Sequence, residues 1–450
     1  MSHPHIPTEL GTEKISKLLK KYAIPAIIAM TAASLYNMVD SIFIGHGVGA
    51  FAISGLAITF PFMNISAAFG TLVGVGAGTI ISVKLGQKDY VSAQKVLGNL
   101  MIFNVIIGLL FTIVALIFLD PILYFFGASE QTVSYAREYM QIILFGNIIT
   151  HLYFGLNNVL RSSGSPRKAM MLTITTVILN TILDPVFIFV FNWGIQGAAV
   201  ATVLAQLIAL VWQMKIFNHK DELLRLHKGI YKIDFRIAKD MFAIGLSPFL
   251  MNVASCFIVI LINNGLKTHS GDLSIGAYGI VNRFSFMFVM IVMGLNQGMQ
   301  PIAGYNYGAG NTSRMLDVLR LTLIFATVVT TTSFFIGEFF PAFVARAFTG
   351  DEELIGLSVF GLRITVMLFP LIGAQIVIAT FFQSIGMAGK SILLSLTRQV
   401  IVLIPCLIIL PKFFGVTGVW ASMPVSDFVA CVVSTAMILK QIKKFKSEQI

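Results

Sequence analysis

The sequence predicts an all-α membrane protein with twelve transmembrane helices in two six-helix bundles related as parallel repeats. Three observations predict it. Apolar stretches of about twenty residues, the length that crosses a bilayer as helix, recur along the whole chain. Lysine and arginine crowd into alternate connections. Motifs of the first half return in the second at a nearly constant offset. Composition agrees: of 450 residues 56% are hydrophobic and 11% charged, with a mean hydropathy of +0.86, more apolar surface than a water-soluble fold needs.

The spans read as residues 22–44, 51–83, 96–119, 136–160, 168–191, 195–217, 241–265, 275–303, 318–341, 354–382, 390–411 and 416–439. Span one follows Lys14, Lys17, Lys20 and Lys21. It is longer than a signal-peptide core and lacks a small-residue cleavage site, so it is expected to stay in place. Lys84, Lys88 and Lys95 separate spans two and three, and Arg161, Arg167 and Lys168 separate four and five. A long charged loop, Lys215 to Asp240, divides six spans from six. Arg314 and Arg320 follow span eight, Lys390 opens span eleven, and Lys440, Lys443, Lys444 and Lys446 lie in the tail. The opposite connections hold only Arg137, Lys267, Arg346 and Lys412. The positive-inside rule therefore predicts both termini in the cytoplasm. The net charge of +11 is a topology signal, and no nucleic-acid partner is expected. The expected organisation is a cytoplasmic arm (1–21), an N-terminal lobe (22–217), a cytoplasmic linker (218–240), a C-terminal lobe (241–439) and a cytoplasmic tail (440–450).

Three motif pairs define the repeat. Arg161-Ser-Ser-Gly-Ser-Pro-Arg-Lys after span four answers Gln383-Ser-Ile-Gly-Met-Ala-Gly-Lys after span ten. Gly194-Ile-Gln-Gly answers Gly415-Val-Thr-Gly, and Leu85-Gly-Gln-Lys-Asp answers Tyr307-Gly-Ala-Gly-Asn. Because six is even, both halves enter from the same side and are parallel repeats. Alternating access between two bundles is the expected mechanism.

The halves differ in charge. Asp40 and Asp184 each stand inside an apolar span, whereas their counterparts in the second half are Asn263 and Pro405. A membrane carboxylate is costly without a partner or a task and marks an ion or substrate path. Tyr36, Asn37 and Asp40 are three and four residues apart and form one polar helical stripe, as do Asn180 and Asp184. Asp40 lies roughly 22 Å along its helix from Pro25, Asp184 a similar rise from Lys168, and Thr202 about 12 Å down span six from Gly194. All reach the same outer layer of the membrane. Pro185 lacks an N–H, which frees the Thr181 carbonyl for a cation, water or side chain. Two carboxylates at one depth point to proton or cation binding.

With these residues in view the chain resembles the MATE family of multidrug and toxin extrusion transporters, in the prokaryotic MepA-like or DinF-like pattern. The resemblance rests on Tyr36-Asn-Met-Val-Asp40, on Arg161-Ser-Ser-Gly-Ser-Pro, and on Asn180 through Asp184-Pro185. It implies an outward-exporting antiporter with Asp40, Asn180, Asp184 and Thr202 lining the cation or proton site of the N-terminal lobe, and Tyr36 and Asn157 in support. Na⁺ at those four residues is the metal reading, because hard cations take oxygen ligands. Protons are favoured, since only one oxygen cage is visible. The resemblance further implies small-molecule drugs or toxins as substrates and the cytoplasmic membrane of a prokaryote as location. No cofactor and no enzymatic activity are expected, and the chain is expected to act as a monomer.

Other features have plainer readings. Gly70, Gly74, Gly76 and Gly78 lack phosphate-loop spacing and read as close helix packing. Met287, Met290 and Met293, with Phe284, Phe288 and Gln297, form an adaptable face in span eight that could accept dissimilar drugs or simply pack. Asp427 in span twelve needs a partner, and Arg398 is the candidate for a structural ion pair. Cys256, Cys406 and Cys431 read as buried small hydrophobes. Three other functions compete. A lipid-linked oligosaccharide flippase would need several cavity arginines, and an intramembrane enzyme would need a catalytic motif that the seven scattered histidines do not form. A passive channel fits poorly with two inequivalent halves.

Overall fold

The computed structural model describes residues 7–219, 222–271 and 273–447, with backbone only at 37, 38, 42, 45, 46 and 50, so the Asn37 side chain lies outside the described residues. Helix is the only regular structure among them. In chain order the first spans are α1 (Ile15–Gly47), α2 (Ala50–Gly86), α3 (Tyr90–Ile117) and α4, a pair formed by Val133–Phe145 and Asn147–Ser162. Next come α5 (Pro166–Pro185, then a π-helix Val186–Val190) and α6 (Gly194–Asn218). The second half has α7 (Phe235–Ser270), α8 (Leu273–Gly308), α9 (Thr312–Phe339) and α10, again a pair, Glu352–Val366 and Phe369–Ser384. Finally α11 spans 388–414 and α12 spans 416–447.

Nine described helices are long and apolar enough to cross a membrane, and eleven if each bent pair counts as one crossing. The last of them, Ala388–Ser447, is broken by Gly415 at φ 56° and ψ −135°. Divided there, the chain makes the twelve expected crossings. The bends were not anticipated: α4 turns by 56° at Gly146 and α10 by 52° before Phe369. At the first, Gly146 has an ordinary right-handed backbone, and a Cβ there would overlap Val203 of α6; Pro370 in the first turn of the new segment, with no N–H to give, sets the second. Pro185 similarly removes a donor, and the chain continues as a π-helix. A second π-helix, Thr397–Leu403, lies in α11.

Backbone geometry carries the repeat more sharply than the side chains do. Positive φ occurs at Gly49 and Gly271, Lys88 and Gly310, Gly164 and Gly386, and Gly194 and Gly415, that is, 222 residues apart in three pairs and 221 in the fourth. Lys88, at φ 60°, occupies a left-handed position that its counterpart fills with glycine. A non-glycine residue there costs roughly 1–2 kcal/mol. Lys88→Gly should therefore raise stability by about 1 kcal/mol, read as a higher unfolding midpoint of the detergent-solubilised protein. Beside it, Asp89 caps α3 by accepting from the Ser92 N–H at 3.1 Å. Hydrogen bonds from the Ser92 side chain and backbone, with Lys84 at 3.2 Å, hold its carboxyl below the usual range.

Two compact units form, one from residues 7–12 and 28–249, the other from 13–27 and 250–447. The expected lobes begin at residues 22 and 241, within α1 and α7, and these units divide the same two helices slightly further on, close to Pro25 and Pro248. Glycines explain the arrangement. In the first unit a Cβ at Gly76 or Gly245 would overlap the carbonyls of Met241 or Leu72, so α7 begins against α2 with no room for a side chain. In the second unit Gly294 and Gly298 of α8 take Ile27 and Ala23 of α1 in the same way. The remaining span-two glycines also pack as expected: Gly70, Gly74 and Gly78 face His151, Gly155 and Ser162 of α4.

The linker is bound rather than loose. Asn99 donates to the Lys232 carbonyl at 3.1 Å and accepts from the Asp234 N–H at 2.9 Å, and Gln94 bonds the N–H and carbonyl of Arg225. Lys168 pairs with Glu222. On α3, Leu109, Leu110, Ile113, Val114 and Ile117 stand exposed, an apolar face suited to lipid.

Candidate functional site

The first unit gathers the polar residues of α1, α5 and α6. In α5, Asn180 and Asp184 share a face at i, i+4, and the Asn180 amide donates to Asp184 Oδ1 at 2.9 Å. Both are almost fully buried. The Asp40 carboxyl, also buried, comes within hydrogen-bonding reach of the Asp184 carboxyl. From one turn earlier in α1, the Tyr36 hydroxyl lies 3.2 Å from Thr202 Oγ1 on α6. Thr202 gives its single hydrogen to the Ala198 carbonyl at 3.1 Å, so its oxygen is left to accept from Tyr36.

Three buried oxygens in this cluster, Asp40 Oδ1, Asp184 Oδ2 and Asn180 Oδ1, have no donor among the described residues. Such atoms are costly to leave unsatisfied. Two carboxyl groups in contact also repel strongly at low dielectric when both are charged. One shared proton or one bound cation relieves both penalties. The donor set is all oxygen and suits H⁺ or a hard ion such as Na⁺, with Asp40, Asp184, Asn180 and Thr202 as the residues that would hold it.

The remaining expected residues occupy several places. Thr181 donates its hydroxyl to the Val177 carbonyl at 2.9 Å within α5. Pro185 closes the α-helical part of α5, where the π-helix takes over. Asn157 is buried, but its amide binds the Ala169 carbonyl at 3.2 Å and Thr173 Oγ1 at 3.4 Å, near the start of α5. Thr173 lies about 16 Å along that helix from Asp184, so Asn157 ties α4 to α5 away from the acids. In the second unit Met287 is exposed and Met290 and Gln297 are half-buried, while Phe284 and Phe288 turn inward and pack at 5.2 Å between ring centroids. Arg398 Nε donates to Asp427 Oδ1 at 2.7 Å, which is the expected ion pair.

Tyr139 of α4 was missed. It is buried, and its hydroxyl reaches Thr202 beside Tyr36 and the two acids. Depth could have found it: on the expected topology span four starts outside, and Tyr139 lies about 9 Å in from Val133, at the layer expected for the two acids. A second buried network also escaped notice. Ser66 donates to Asn147 Oδ1 at 2.6 Å, His151 Nε2 lies 2.9 Å from the Ser66 carbonyl, and the Asn147 amide points at Thr112 at 3.4 Å. It ties α2, α3 and α4 together.

Known proteins share this architecture. The chain is 28% identical over 424 residues to the multidrug export protein MepA of Staphylococcus haemolyticus (strain JCSC1435), covering 94% of this chain and 93% of that one. MepA of Staphylococcus aureus (strain NCTC 8325 / PS 47) is 29% identical over 430 residues at the same coverage. A multidrug resistance MATE family transporter of the MOP superfamily, solved in an outward-facing conformation, superposes with a TM-score of 0.92 at 23% identity over 98% of this chain and 99% of its own. The MatE family profile matches residues 25–186 and 244–408, once in each repeat. The chain belongs to the MatE family.

Proposed function

We propose that this chain is a multidrug efflux antiporter of a prokaryotic cell membrane, exporting amphipathic, often cationic, organic compounds in exchange for protons by alternating access. It is a transporter and not an enzyme. The observation that carries the coupling is the set of three unsatisfied buried oxygens on Asp40, Asp184 and Asn180, gathered around two carboxyl groups in the first unit. Asp40 and Asp184 are read as the proton carriers, with Tyr36, Tyr139, Asn180 and Thr202 orienting them. Na⁺ on the same oxygens is the alternative coupling ion. Met287, Met290 and Gln297 are read as part of the drug-accepting face. Its relatives' names and the acidic cluster both support export over lipid flipping.

Purified protein in liposomes tests this reading. Counterflow of a fluorescent lipophilic cation against an ion gradient is expected, and scrambling of labelled lipid without cation movement would replace the reading with a flippase.

Both termini, the linker 218–240 and the tail 440–450 are proposed to lie in the cytoplasm, and the protein to act as a monomer. In a background lacking Cys256, Cys406 and Cys431, cysteines placed at Lys88, Lys168 and Lys228 should react only from the cytoplasmic side, and those at Glu130 and Glu352 only from outside. Reaction at 228 from outside would overturn the topology.

A further inference from the structure

We propose that Arg398 forms a second substrate subsite, inside the C-terminal unit, that takes the neutral hydrogen-bond acceptor of an amphipathic compound, an amide or ester carbonyl. Arg398 stands in the π-helix Thr397–Leu403, about 12 Å along α11 from Lys390, and Asp427 lies about 20 Å along α12 from Lys440. Both are therefore deep in the membrane, where charged side chains face a bundle interior or a water-filled space. The pair is lopsided. The Asp427 side chain is 4% exposed and that of Arg398 23%, so the carboxylate is sealed while the guanidinium stays reachable.

Arg398 spends a single N–H on Asp427, from Nε. A guanidinium has five N–H donors. The remaining four, on the two terminal nitrogens, meet no acceptor among the described residues. Contrast Arg137 near the outer surface, which closes both Nε and Nη2 on Asp120 at 2.7 and 2.8 Å. Arg–carboxylate pairs frequently close both edges in that way, and Arg398 keeps one edge open. Next in sequence, the Gln399 amide donates to Ser255 Oγ at 3.1 Å, which fixes the side chain while Gln399 Oε1 remains buried without a donor. The π-turn thus presents an open donor fork at Arg398, beside a Gln399 side chain that Ser255 holds in place. Such turns are frequent at functional sites.

Charge selects the ligand. Asp427 already neutralises Arg398, so a carboxylate would bring an uncompensated negative charge into the membrane, whereas a carbonyl brings two lone pairs and no charge. This inference rests on the efflux reading above and deepens it by naming a substrate feature.

Four pyrene probes that differ only at the end of a butyl chain test it on the purified full-length protein: the N,N-dimethylamide, the plain hydrocarbon, the carboxylate and the trimethylammonium. Wild type should bind the dimethylamide about tenfold tighter than the hydrocarbon, the size of one charge-assisted hydrogen bond. The paired variant Arg398→Met with Asp427→Leu, which leaves no lone buried charge, should lose that preference and bind the trimethylammonium probe as before. Should the pair fold poorly, Arg398→Lys keeps a cation beside Asp427 but has no second edge to offer, and should lose the preference too. A preference retained in both variants, or absent in wild type, overturns the subsite. Dependence on Arg398 confined to the carboxylate probe overturns the neutral ligand. Failure of wild type to exchange the trimethylammonium probe in liposomes is a separate result and counts against the efflux reading.

Discussion

Asparagine at position 40 or 184 should leave a protein that reaches the membrane in normal amounts and exports almost nothing. Asn matches Asp in size and keeps a hydrogen-bonding oxygen, so the Asn180 contact to residue 184 at 2.9 Å can persist. What disappears is the ability to carry a proton or attract a cation. Because Asp40 and Asp184 lie within hydrogen-bonding reach, removing either also removes the partner whose repulsion drives exchange at the other. Dye efflux from intact cells should fall by about tenfold or more, at least about 1.4 kcal/mol in the driving interaction. The double variant should be no worse than either single one. Wild-type efflux from a well-expressed Asp40→Asn, Asp184→Asn protein would remove these residues from the mechanism.

Asp427→Leu should act on folding instead. Removing one partner of a buried ion pair strands the other, at a cost of about 3–5 kcal/mol, whereas replacing both with apolar residues is often neutral. Asp427→Leu alone should therefore yield little folded protein, and adding Arg398→Met should restore it. Size-exclusion profiles and unfolding midpoints in detergent measure both. Normal yield and midpoint for the single variant would show that the 2.7 Å contact carries no stability.

Periodicity and charge made the fold legible. Apolar runs and basic loops depend on residue type alone, so twelve crossings and two repeats are legible in the chain itself. The bends at Gly146 and before Phe369 were not, because single glycines and prolines are common in membrane helices and only packing decides which of them kinks. The sharing of α1 and α7 between compact units was equally hidden, since it depends on which helix meets Gly76, Gly245, Gly294 and Gly298. At the site, helical spacing and depth brought Asp40, Asn180, Asp184, Tyr36 and Thr202 into view. Tyr139 was lost because a tyrosine in an apolar run carries no charge to mark it. Asn157 entered by resemblance alone, and its bonds to Ala169 and Thr173 hold it near the start of α5.

Exchange driven by a proton gradient is the most direct test of the central claim, that one acidic cluster couples export to proton entry. Each proton moving inward gains about 2.3 kcal/mol per 100 mV of membrane potential, before any pH difference is added. In liposomes free of sodium, an imposed pH gradient should drive uphill movement of a lipophilic cation, an ionophore that collapses the gradient should stop it, and Asp184→Asn should abolish it. Transport that answers only to a Na⁺ gradient at equal pH and clamped voltage would contradict proton coupling.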